Sequence, residues 1–374
     1  MKPEDIQWMR RALSLARRAA GETAPNPLVG AVLVRNGRVL GQGWHHRAGQ
    51  PHAEVEAFRN AELRGNAVRG ATLYVTLEPC CTTGRTPPCT DAILRHQVKR
   101  VVVAAVDPNP KHAGRAFPLL EAAGIRVEAG VLADEANRLN EAFNHWIIHR
   151  TPWVTLKAAM TLDGRIATSS GESKWITGVA ARNEGLQLRR RADAVLVGIE
   201  TVLADNPSLS LRSPRSGAVT GCRRRLILDT RARTPLDSQV VTDAFWDRTT
   251  VVVGASAPAS RVRRLQQKVQ VMQVAEDGGR IDLRALLPQL GAEGVMSLLV
   301  EGGGEVHAGL LERRLAHRVA FFYAPLMLGG TEARRAVGGA GFNHAMTPPR
   351  LVDLEWKRLG VDQYLTARIA PNLP

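Results

Sequence analysis

The residues best suited to chemistry lie between positions 52 and 89. His52 and Glu54 are separated by one residue, and Cys80 and Cys89 follow on the segment EPCCTTGRTPPC at 78–89. One imidazole and two thiolates are ligands that Zn²⁺ accepts readily, and three protein ligands leave a fourth position open for water. The spacing predicts a zinc site on this histidine and these two cysteines. Glu54 is too close to His52 to be an ordinary fourth ligand, so we assign it as the catalytic acid and base.

Other ligand sets compete with this interpretation. The order His-x-Glu followed by Pro-Cys is the signature of zinc nucleobase deaminases, which space the two cysteines two residues apart, whereas eight residues separate the pair here. Cys81 is therefore a rival ligand. A structural zinc would take a fourth protein ligand, which His45 or His46 could supply. We favour the catalytic site because it alone gives Glu54 a role.

Composition sets the broad class of the protein. A chain of 374 residues is longer than one typical core, so two domains are expected. Its hydrophobic content of 44% is that of a globular protein. No apolar run approaches the roughly 18 residues of a membrane span, and the N-terminal segment lacks the apolar stretch of a secretory signal. Four cysteines, three of them clustered, indicate a metal site in a reduced compartment. We expect a cytoplasmic protein.

The net charge of +15 permits nucleic-acid binding. An editing deaminase that acts on tRNA, with an appended basic binding domain, is therefore an alternative function. The charge, however, is spread over both halves of the chain, and aromatic residues make up only 5% of it, which is few for base stacking. We favour a small phosphorylated substrate, with neither nucleic acid nor membrane as a partner.

Alternating strands and helices predict an α/β protein whose domains, 1–150 and 151–374, meet near Arg150-Thr151-Pro152. In the first domain, helices are predicted over 4–20 and 134–144. Nearer the cysteines, strand 71–77 is followed by the cysteine loop. Helices at 52–63 and 89–96 begin at His52 and Cys89, and strand 101–106 runs into Asp107-Pro108-Asn109-Pro110. Ligands at the starts of two neighbouring helices can converge on one metal.

The second domain offers a possible phosphate site. A strand over 297–300 is followed by Glu301-Gly302-Gly303-Gly304 and a helix over 306–314. Bare glycine amides before a helix N-terminus can cradle a phosphate, although a tight turn would use the same residues. The segment 213–222 is predicted to be a mobile loop in which Cys222 has no function.

The two halves together resemble the bifunctional deaminase–reductase family of riboflavin biosynthesis. The first half carries the motifs PNPLVGAV (25–32), AGQPHAEVEA (48–57), TLEPCCTTGRTPPC (76–89) and DPNP (107–110). The second half carries LKAAMTLDGRIAT (156–168), SGESKWIT (170–177), TVLADNPSLSLR (201–212) and VEGGG (300–304). The long cysteine spacing is typical of this family.

The resemblance implies a cytidine-deaminase-like, three-layer α/β/α domain followed by a dihydrofolate-reductase-like α/β domain. The first would hydrolyse the amino group of 2,5-diamino-6-(5-phosphoribosylamino)pyrimidin-4-one with Zn²⁺. The second would use NADPH to reduce the ribosyl group of 5-amino-6-(5-phosphoribosylamino)uracil to ribityl. A homo-oligomer, either a dimer or a tetramer, is expected. A structural zinc module fused to an NADP-binding domain is the alternative of a different class.

The resemblance also implies contact residues. The positions that match NADP contacts are Ala159, Trp175, Thr201, Asp205, Thr230, Gly303 and Gly304. Substrate contacts match Asn26, Arg85, Asp107 and Asn109 in the first half, and Lys157, Ser173, Arg189, Leu209, Arg212 and Glu301 in the second. Arg189 and Arg212 could form a phosphate fork. Lys157, on an apolar strand, should need an anionic partner. Thr82 stands where relatives often have histidine, which leaves that contact in doubt.

Overall fold

The chain forms two compact units, Met1–Arg150 and Thr151–Pro374, in a computed structural model that describes residues 2–213, 216–342 and 347–370. The elements of the first unit are helix α1 (Pro3–Ala16) with a 3-10 turn (Arg17–Ala19), strands β1 (Gly30–Arg35) and β2 (Arg38–Trp44), helix α2 (Ala53–Leu63), β3 (Thr72–Leu77), α3 (Cys89–Arg95), β4 (Arg100–Ala105), α4 (Ala116–Ala122), β5 (Arg126–Ala129), α5 (Ala133–Leu139) and α6 (Glu141–His149).

The first unit has three layers around a five-stranded sheet of order β2-β1-β3-β4-β5. Alternate residues of β3 point to opposite faces. Leu73 and Val75 pack in the core with residues of α2, α3 and α4. Tyr74 points to the other face, where its hydroxyl donates a hydrogen bond of 2.8 Å to Asp5 of α1. Helices therefore cover both faces, which confirms the expected α/β/α architecture.

The sheet topology brings the chemical residues to one edge. Strands β3 and β4 are parallel neighbours, so the cysteine loop after β3 and the Asp107 loop after β4 emerge at the same side. Helix α2 begins directly after His52, and α3 begins at Cys89. These starts agree with the sequence pattern.

The single helix predicted over 134–144 is wrong. The structure has two helices, α5 and α6, that meet at Asn140. The Asn140 side chain accepts a hydrogen bond of 2.7 Å from Leu28 N and donates one of 2.9 Å to Leu28 O. Helical periodicity continues across this break, so only the long-range contact with Leu28 reveals it.

The second unit continues the alternation of strands and helices. Its elements are β6 (Trp153–Thr161), β7 (Arg165–Ala167), α7 (Val179–Arg191), β8 (Ala194–Gly198), α8 (Ile199–Asp205), β9 (Leu211–Arg212), β10 (Val219–Gly221), β11 (Arg224–Leu228), α9 (Gln239–Thr242), a 3-10 turn (Trp246–Arg248), β12 (Thr249–Gly254), α10 (Ala259–Gln266), β13 (Gln270–Val274), β14 (Glu276–Asp277), β15 (Arg280–Ile281), α11 (Leu283–Ala292), β16 (Ser297–Val300), α12 (Gly304–Glu312), β17 (Arg318–Ala324), β18 (Arg334–Arg335), β19 (Leu351–Leu359) and β20 (Asp362–Ile369).

A nine-stranded sheet of order β13-β12-β11-β8-β16-β6-β17-β20-β19 forms the centre of this unit. The strands from β13 to β17 are parallel, and β20 and β19 add an antiparallel edge. Continuous apolar runs such as Ala194–Gly198 suit parallel strands buried on both faces. This arrangement agrees with the expected reductase fold. In the described part of the chain, no helix is long and apolar enough to cross a membrane.

The segment predicted as a loop over 213–222 contains the short strand β10, which pairs antiparallel with β9 just before the segment. Positions 214 and 215 lie outside the described residues. The Cys222 thiol donates a hydrogen bond to the carbonyl of Arg223.

Candidate active sites

His52, Cys80 and Cys89 converge in the first unit. Their three possible ligand atoms all lie within 4.8 Å of one another. His52 Nδ1 is 3.2 Å from Cys89 Sγ and 3.5 Å from Cys80 Sγ, and the Cys89 amide donates to Cys80 Sγ. Hydrogen bonds from Cys89 and His52 lower the pKa of Cys80. One imidazole and two sulfurs facing one point are a donor set that fits zinc.

The remaining ring nitrogen of His52 also has a partner. Its Nε2 lies 3.3 Å from the Thr86 hydroxyl. Because a metal-binding histidine is usually oriented by a hydrogen bond on its other nitrogen, Thr86 can hold the ring with Nδ1 towards the metal position. Sequence reasoning missed this threonine, although its place inside the cysteine loop was a usable signal.

Glu54 lies beside the three ligands in the first turn of α2. It is only 3% exposed, yet it lines the cavity next to His52. Burial raises the pKa of Glu54 to about 7. A carboxyl group in this range can both accept and release a proton near neutral pH.

A cavity of about 340 Å³ opens in front of these residues. The expected pyrimidine contacts all line it, and so do Thr82 and His112. His112 is almost buried, and its Nδ1 lies 3.7 Å from the thiol of Cys81. Cys81 therefore has a partner of its own outside the cluster of three. The four expected contacts that line the cavity are Asn26, Arg85, Asp107 and Asn109.

The rival ligands His45 and His46 do not belong to the cluster, although the His45 ring packs edge-on against that of His52 with 5.3 Å between the ring centroids. His45 Nδ1 is 3.0 Å from the carbonyl oxygen of Pro51, and Nε2 is 3.0 Å from the side-chain nitrogen of Asn26. Burial lowers the pKa of His45. His46 is exposed, and its ring lies tilted against that of Trp44, with 4.5 Å between the ring centroids. Because both ring nitrogens of His45 already have hydrogen-bond partners, the structure gives no support for His45 as a fourth zinc ligand.

Glu78 organises the loop that carries Asp107. Its carboxylate accepts hydrogen bonds from the amides of Asp107 (3.2 Å), Gly114 (2.8 Å) and Ala116 (3.0 Å). The Asp107 carboxylate in turn accepts one of 2.8 Å from Asn109 N. Burial raises the pKa of Asp107 to about 6. Sequence reasoning missed Glu78, whose signal is a carboxylate directly after a buried strand.

The second unit contains a larger cavity, of about 790 Å³. It lies at the carboxyl ends of the neighbouring parallel strands β11, β8 and β16, which is where α/β sheets usually bind ligands. Sequence reasoning missed the arginines of its wall, of which Arg233 and Arg280 form ion pairs with the wall residues Glu200 and Glu305. The arginines that line the cavity are Arg233, Arg280, Arg313, Arg334 and Arg335. The expected contacts that line this cavity are Thr201, Asp205, Thr230, Gly303, Gly304 and Ser173.

The glycines after β16 form a close-fitting wall. Gly303 has a φ of +81°, a conformation in which side chains are strained. A Cβ atom on Gly302 would lie 2.6 Å from the hydroxyl of Thr201. The N-terminus of α12 follows directly and faces the same cavity. These features fit the pyrophosphate of a dinucleotide such as NADPH.

Lys157, Arg189 and Glu301 form a buried ionic cluster. The Glu301 carboxylate accepts hydrogen bonds of 2.6 and 2.9 Å from Arg189 and lies 3.5 Å from Lys157 Nζ. Burial opposes ionisation of Glu301, but the charges of Arg189 and Lys157 outweigh it and lower the pKa to about 2. The anionic partner expected for Lys157 is therefore Glu301.

Arg189 and Arg212, the two residues expected to form a phosphate fork, have separate protein partners in the structure. Arg189 donates to Glu301 and to the carbonyl of Ser210, whereas Arg212 is exposed and donates to Gly217.

Three other expected contacts lie outside the wall of the large cavity. Ala159 packs with Phe322 on the sheet, and Leu209 is buried. Trp175 is 72% exposed, with the Arg182 guanidinium 4.6 Å from its ring centroid.

Both units match known families. Residues 2–105 match the cytidine and deoxycytidylate deaminase zinc-binding region, and residues 152–365 match the RibD C-terminal domain. Riboflavin biosynthesis protein RibD of Actinobacillus pleuropneumoniae is 43% identical over 339 residues, which cover 90% of this chain and 88% of the relative. The RibD protein of Escherichia coli is 37% identical over 371 residues, which cover 96% of this chain and 98% of the relative.

Solved structures give the same relationship. Acinetobacter baumannii RibD, form 1, is 38% identical, with a TM-score of 0.85 and coverage of 98% of this chain and 99% of that one. The diaminohydroxyphosphoribosylaminopyrimidine deaminase/5-amino-6-(5-phosphoribosylamino)uracil reductase of Thermotoga maritima is 34% identical, with a TM-score of 0.83 and the same coverage. These matches support the deaminase–reductase interpretation and not the tRNA-editing alternative. The chain therefore belongs to the RibD family of riboflavin biosynthesis, whose members join a zinc-dependent deaminase and an NADPH-dependent reductase in one chain.

Proposed function

We propose that this chain removes the amino group of 2,5-diamino-6-(5-phosphoribosylamino)pyrimidin-4-one and then reduces the ribosyl group of the aminouracil product. The observation that carries the first step is the cluster of His52, Cys80 and Cys89, with Glu54 beside it at the wall of one cavity. The two units, 1–150 and 151–374, would each perform one reaction.

In the deaminase, His52, Cys80 and Cys89 would hold zinc. When bound, zinc lowers the pKa of a coordinated water towards neutral and thereby supplies the nucleophile for hydrolysis. Glu54 would take up the proton released there and deliver it to the pyrimidine ring and the departing ammonia. The cavity residues Asn26 and Asp107 would orient the ring, with Arg85 and Asn109 as further contacts.

In the reductase, the cavity beside Gly303 and Gly304 would bind NADPH, with Ala159, Trp175, Thr201, Asp205 and Thr230 as the other proposed contacts. When bound, NADPH supplies the hydride that reduces the sugar. Arginines of the cavity wall would neutralise the cofactor phosphates. The proposed contacts to the aminouracil substrate are Lys157, Ser173, Arg189, Leu209, Arg212 and Glu301.

Two variants of the full chain separate the reactions. Glu54→Gln should lower ammonia release by about 10²–10⁴-fold, because amide replaces the proton-transferring carboxyl. It should keep its zinc and still oxidise NADPH when given the aminouracil. Glu301→Gln removes the anion between Lys157 and Arg189. It should lower the rate of NADPH oxidation and leave ammonia release unchanged. Ammonia release and NADPH absorbance are followed separately.

The matched control is Glu62→Gln, on the exposed side of the same helix α2. It should keep both activities. Ammonia release near the wild-type rate in Glu54→Gln would contradict the assigned acid–base role.

We also propose that the enzyme is cytoplasmic and forms a homo-oligomer through the reductase unit. The four cysteines are free, which suits a reducing compartment. Strand β19 lies at the edge of the nine-stranded sheet and exposes Leu354 and Trp356. An exposed apolar edge strand is a surface that invites a second chain.

This self-association is tested with Trp356→Glu, which places a charge on the exposed edge. The variant should sediment with a lower mass than the wild type in analytical ultracentrifugation. Equal masses for the two proteins would contradict an interface on β19.

A further inference from the structure

We propose that His45 is a positioning residue of the deaminase, which fixes the Asn26 side chain so that its carbonyl oxygen accepts a hydrogen bond from an N–H group of the pyrimidine. The inference rests on the proposed deamination at the same cavity. It gives His45 a function other than that of a metal ligand.

His45 lies between two hydrogen-bond partners, the backbone carbonyl of Pro51 and the side chain of Asn26, and the carbonyl determines which ring nitrogen carries the hydrogen. The carbonyl oxygen of Pro51 can only accept, so the His45 Nδ1 that lies 3.0 Å from it must carry a hydrogen. At the other ring nitrogen, the amide nitrogen of Asn26 lies 3.0 Å from Nε2 and can only donate, so Nε2 carries no hydrogen. In a neutral imidazole with a hydrogen on Nδ1, Nε2 is an acceptor.

This acceptor determines the orientation of Asn26. The side-chain atom 3.0 Å from Nε2 must be a donor, which is the amide nitrogen Nδ2. The opposite orientation would place two lone pairs against each other. Asn26 Oδ1 is therefore left for a ligand, and Asn26 lines the same cavity as Glu54.

The surrounding backbone keeps both residues in place. Asn26 lies between Pro25 and Pro27, whose rings restrict the chain, and its amide donates a hydrogen bond of 2.8 Å to Thr23 O. The amide of His45 donates one of 2.9 Å to Val29 O. The acceptor is thus presented from a rigid segment, which lowers the entropy cost of binding.

The chemical consequence is selectivity. An acceptor that cannot rotate favours a ring with an amino or imino hydrogen at the position it faces. It disfavours a ring that presents a lone pair there, since two buried acceptors would then oppose each other. Pyrimidines with a bare ring nitrogen at this position should be poor substrates.

A double-mutant cycle in the full-length, zinc-loaded protein tests the inference. His45→Phe and Asn26→Ala should each raise KM for the pyrimidine by about 10-fold, with a smaller change in kcat. The double variant should be no worse than Asn26→Ala, because His45 acts only through Asn26. Zinc content should stay at the wild-type level in all three.

The matched control is His46→Phe, which removes the exposed neighbouring histidine and should leave KM unchanged. The inference would be overturned if the increases in KM of the two single variants multiplied in the double variant. Loss of zinc from a folded His45→Phe protein would also overturn it. A wild type that releases no ammonia would instead contradict the proposed function.

A spectroscopic test covers the case in which His45→Phe does not fold. In wild-type protein labelled with ¹⁵N-histidine, the His45 signals, identified by their shift in Asn26→Ala, should have a protonated Nδ1 and an unprotonated Nε2. A ring with its hydrogen on Nε2 at neutral pH would overturn the inference, since Asn26 would then present its nitrogen to the ligand.

Discussion

Single side chains at the deaminase site act through their neighbours as much as directly. The ring of His52 is oriented by a residue that is not a ligand: the Thr86 hydroxyl lies 3.3 Å from its Nε2. Glu78 accepts a hydrogen bond from the amide of Asp107 and thereby holds this cavity residue in place. Substitutions of these supporting residues should therefore change zinc retention or substrate affinity before they change the fold.

Thr86→Val should weaken zinc binding by about 10-fold, because valine has a similar shape but no hydroxyl to fix the imidazole. Competition with a chelator measures the zinc affinity directly, without an activity assay. Thr86→Ser keeps the hydroxyl and serves as the control. If the valine and serine variants hold zinc equally well, the threonine has no orienting role.

At the scale of elements, both cavities form where neighbouring parallel strands end and helices begin. Strand β16 leads through Glu301 and two glycines into helix α12, whose first residue is Gly304, so bare backbone forms this part of the wall of the reductase cavity. Gly303 lines the cavity with a φ of +81°, a backbone conformation that is strained for any residue with a side chain.

Gly303→Ala should raise KM for NADPH by about 10-fold, since alanine in this conformation is strained by about 1–3 kcal/mol and would relax by moving the loop. Initial rates of NADPH oxidation at varied cofactor concentration provide the measurement. Ammonia release by the same variant is the internal control and should not change. An unaltered KM for NADPH would show that this turn does not bind the cofactor.

At the scale of the whole molecule, buried ion pairs tie distant segments together. In the first unit, Arg100 of β4 donates two hydrogen bonds of 2.8 Å to Asp5 of α1 and also contacts Glu128 of β5. Hydrogen bonding with Arg100 is the main cause that lowers the pKa of both Asp5 and Glu128. The network therefore couples stability to pH.

The sign follows from the lowered pKa values. A carboxyl group whose pKa is lower in the folded than in the unfolded chain stabilises the fold above its unfolded pKa, about 4, and loses this contribution as the pH falls further. Asp5→Asn should cost about 3 kcal/mol of unfolding free energy at pH 7, because it leaves a buried arginine short of an anion. The difference from the wild type should shrink towards pH 3.

Urea unfolding at several pH values measures this difference. Glu4→Gln, which changes an exposed neighbour on the same helix turn, should have little effect at any pH. A constant cost of Asp5→Asn across the whole pH range would mean that packing, and not charge, accounts for the loss.

The sequence by itself determined the local features: the ligand types and their order, the helix starts at His52 and Cys89, the glycines after β16, and the alternation that predicts two α/β units. These depend on neighbours in the chain. The partners of buried polar groups were decided only by tertiary structure. Asn140 bonds to Leu28 at the point where a predicted helix is interrupted, Arg189 bonds to Glu301, and His45 bonds to Asn26. These pairs form because the residues are close in space, and the spacing of residues along the chain does not encode that proximity.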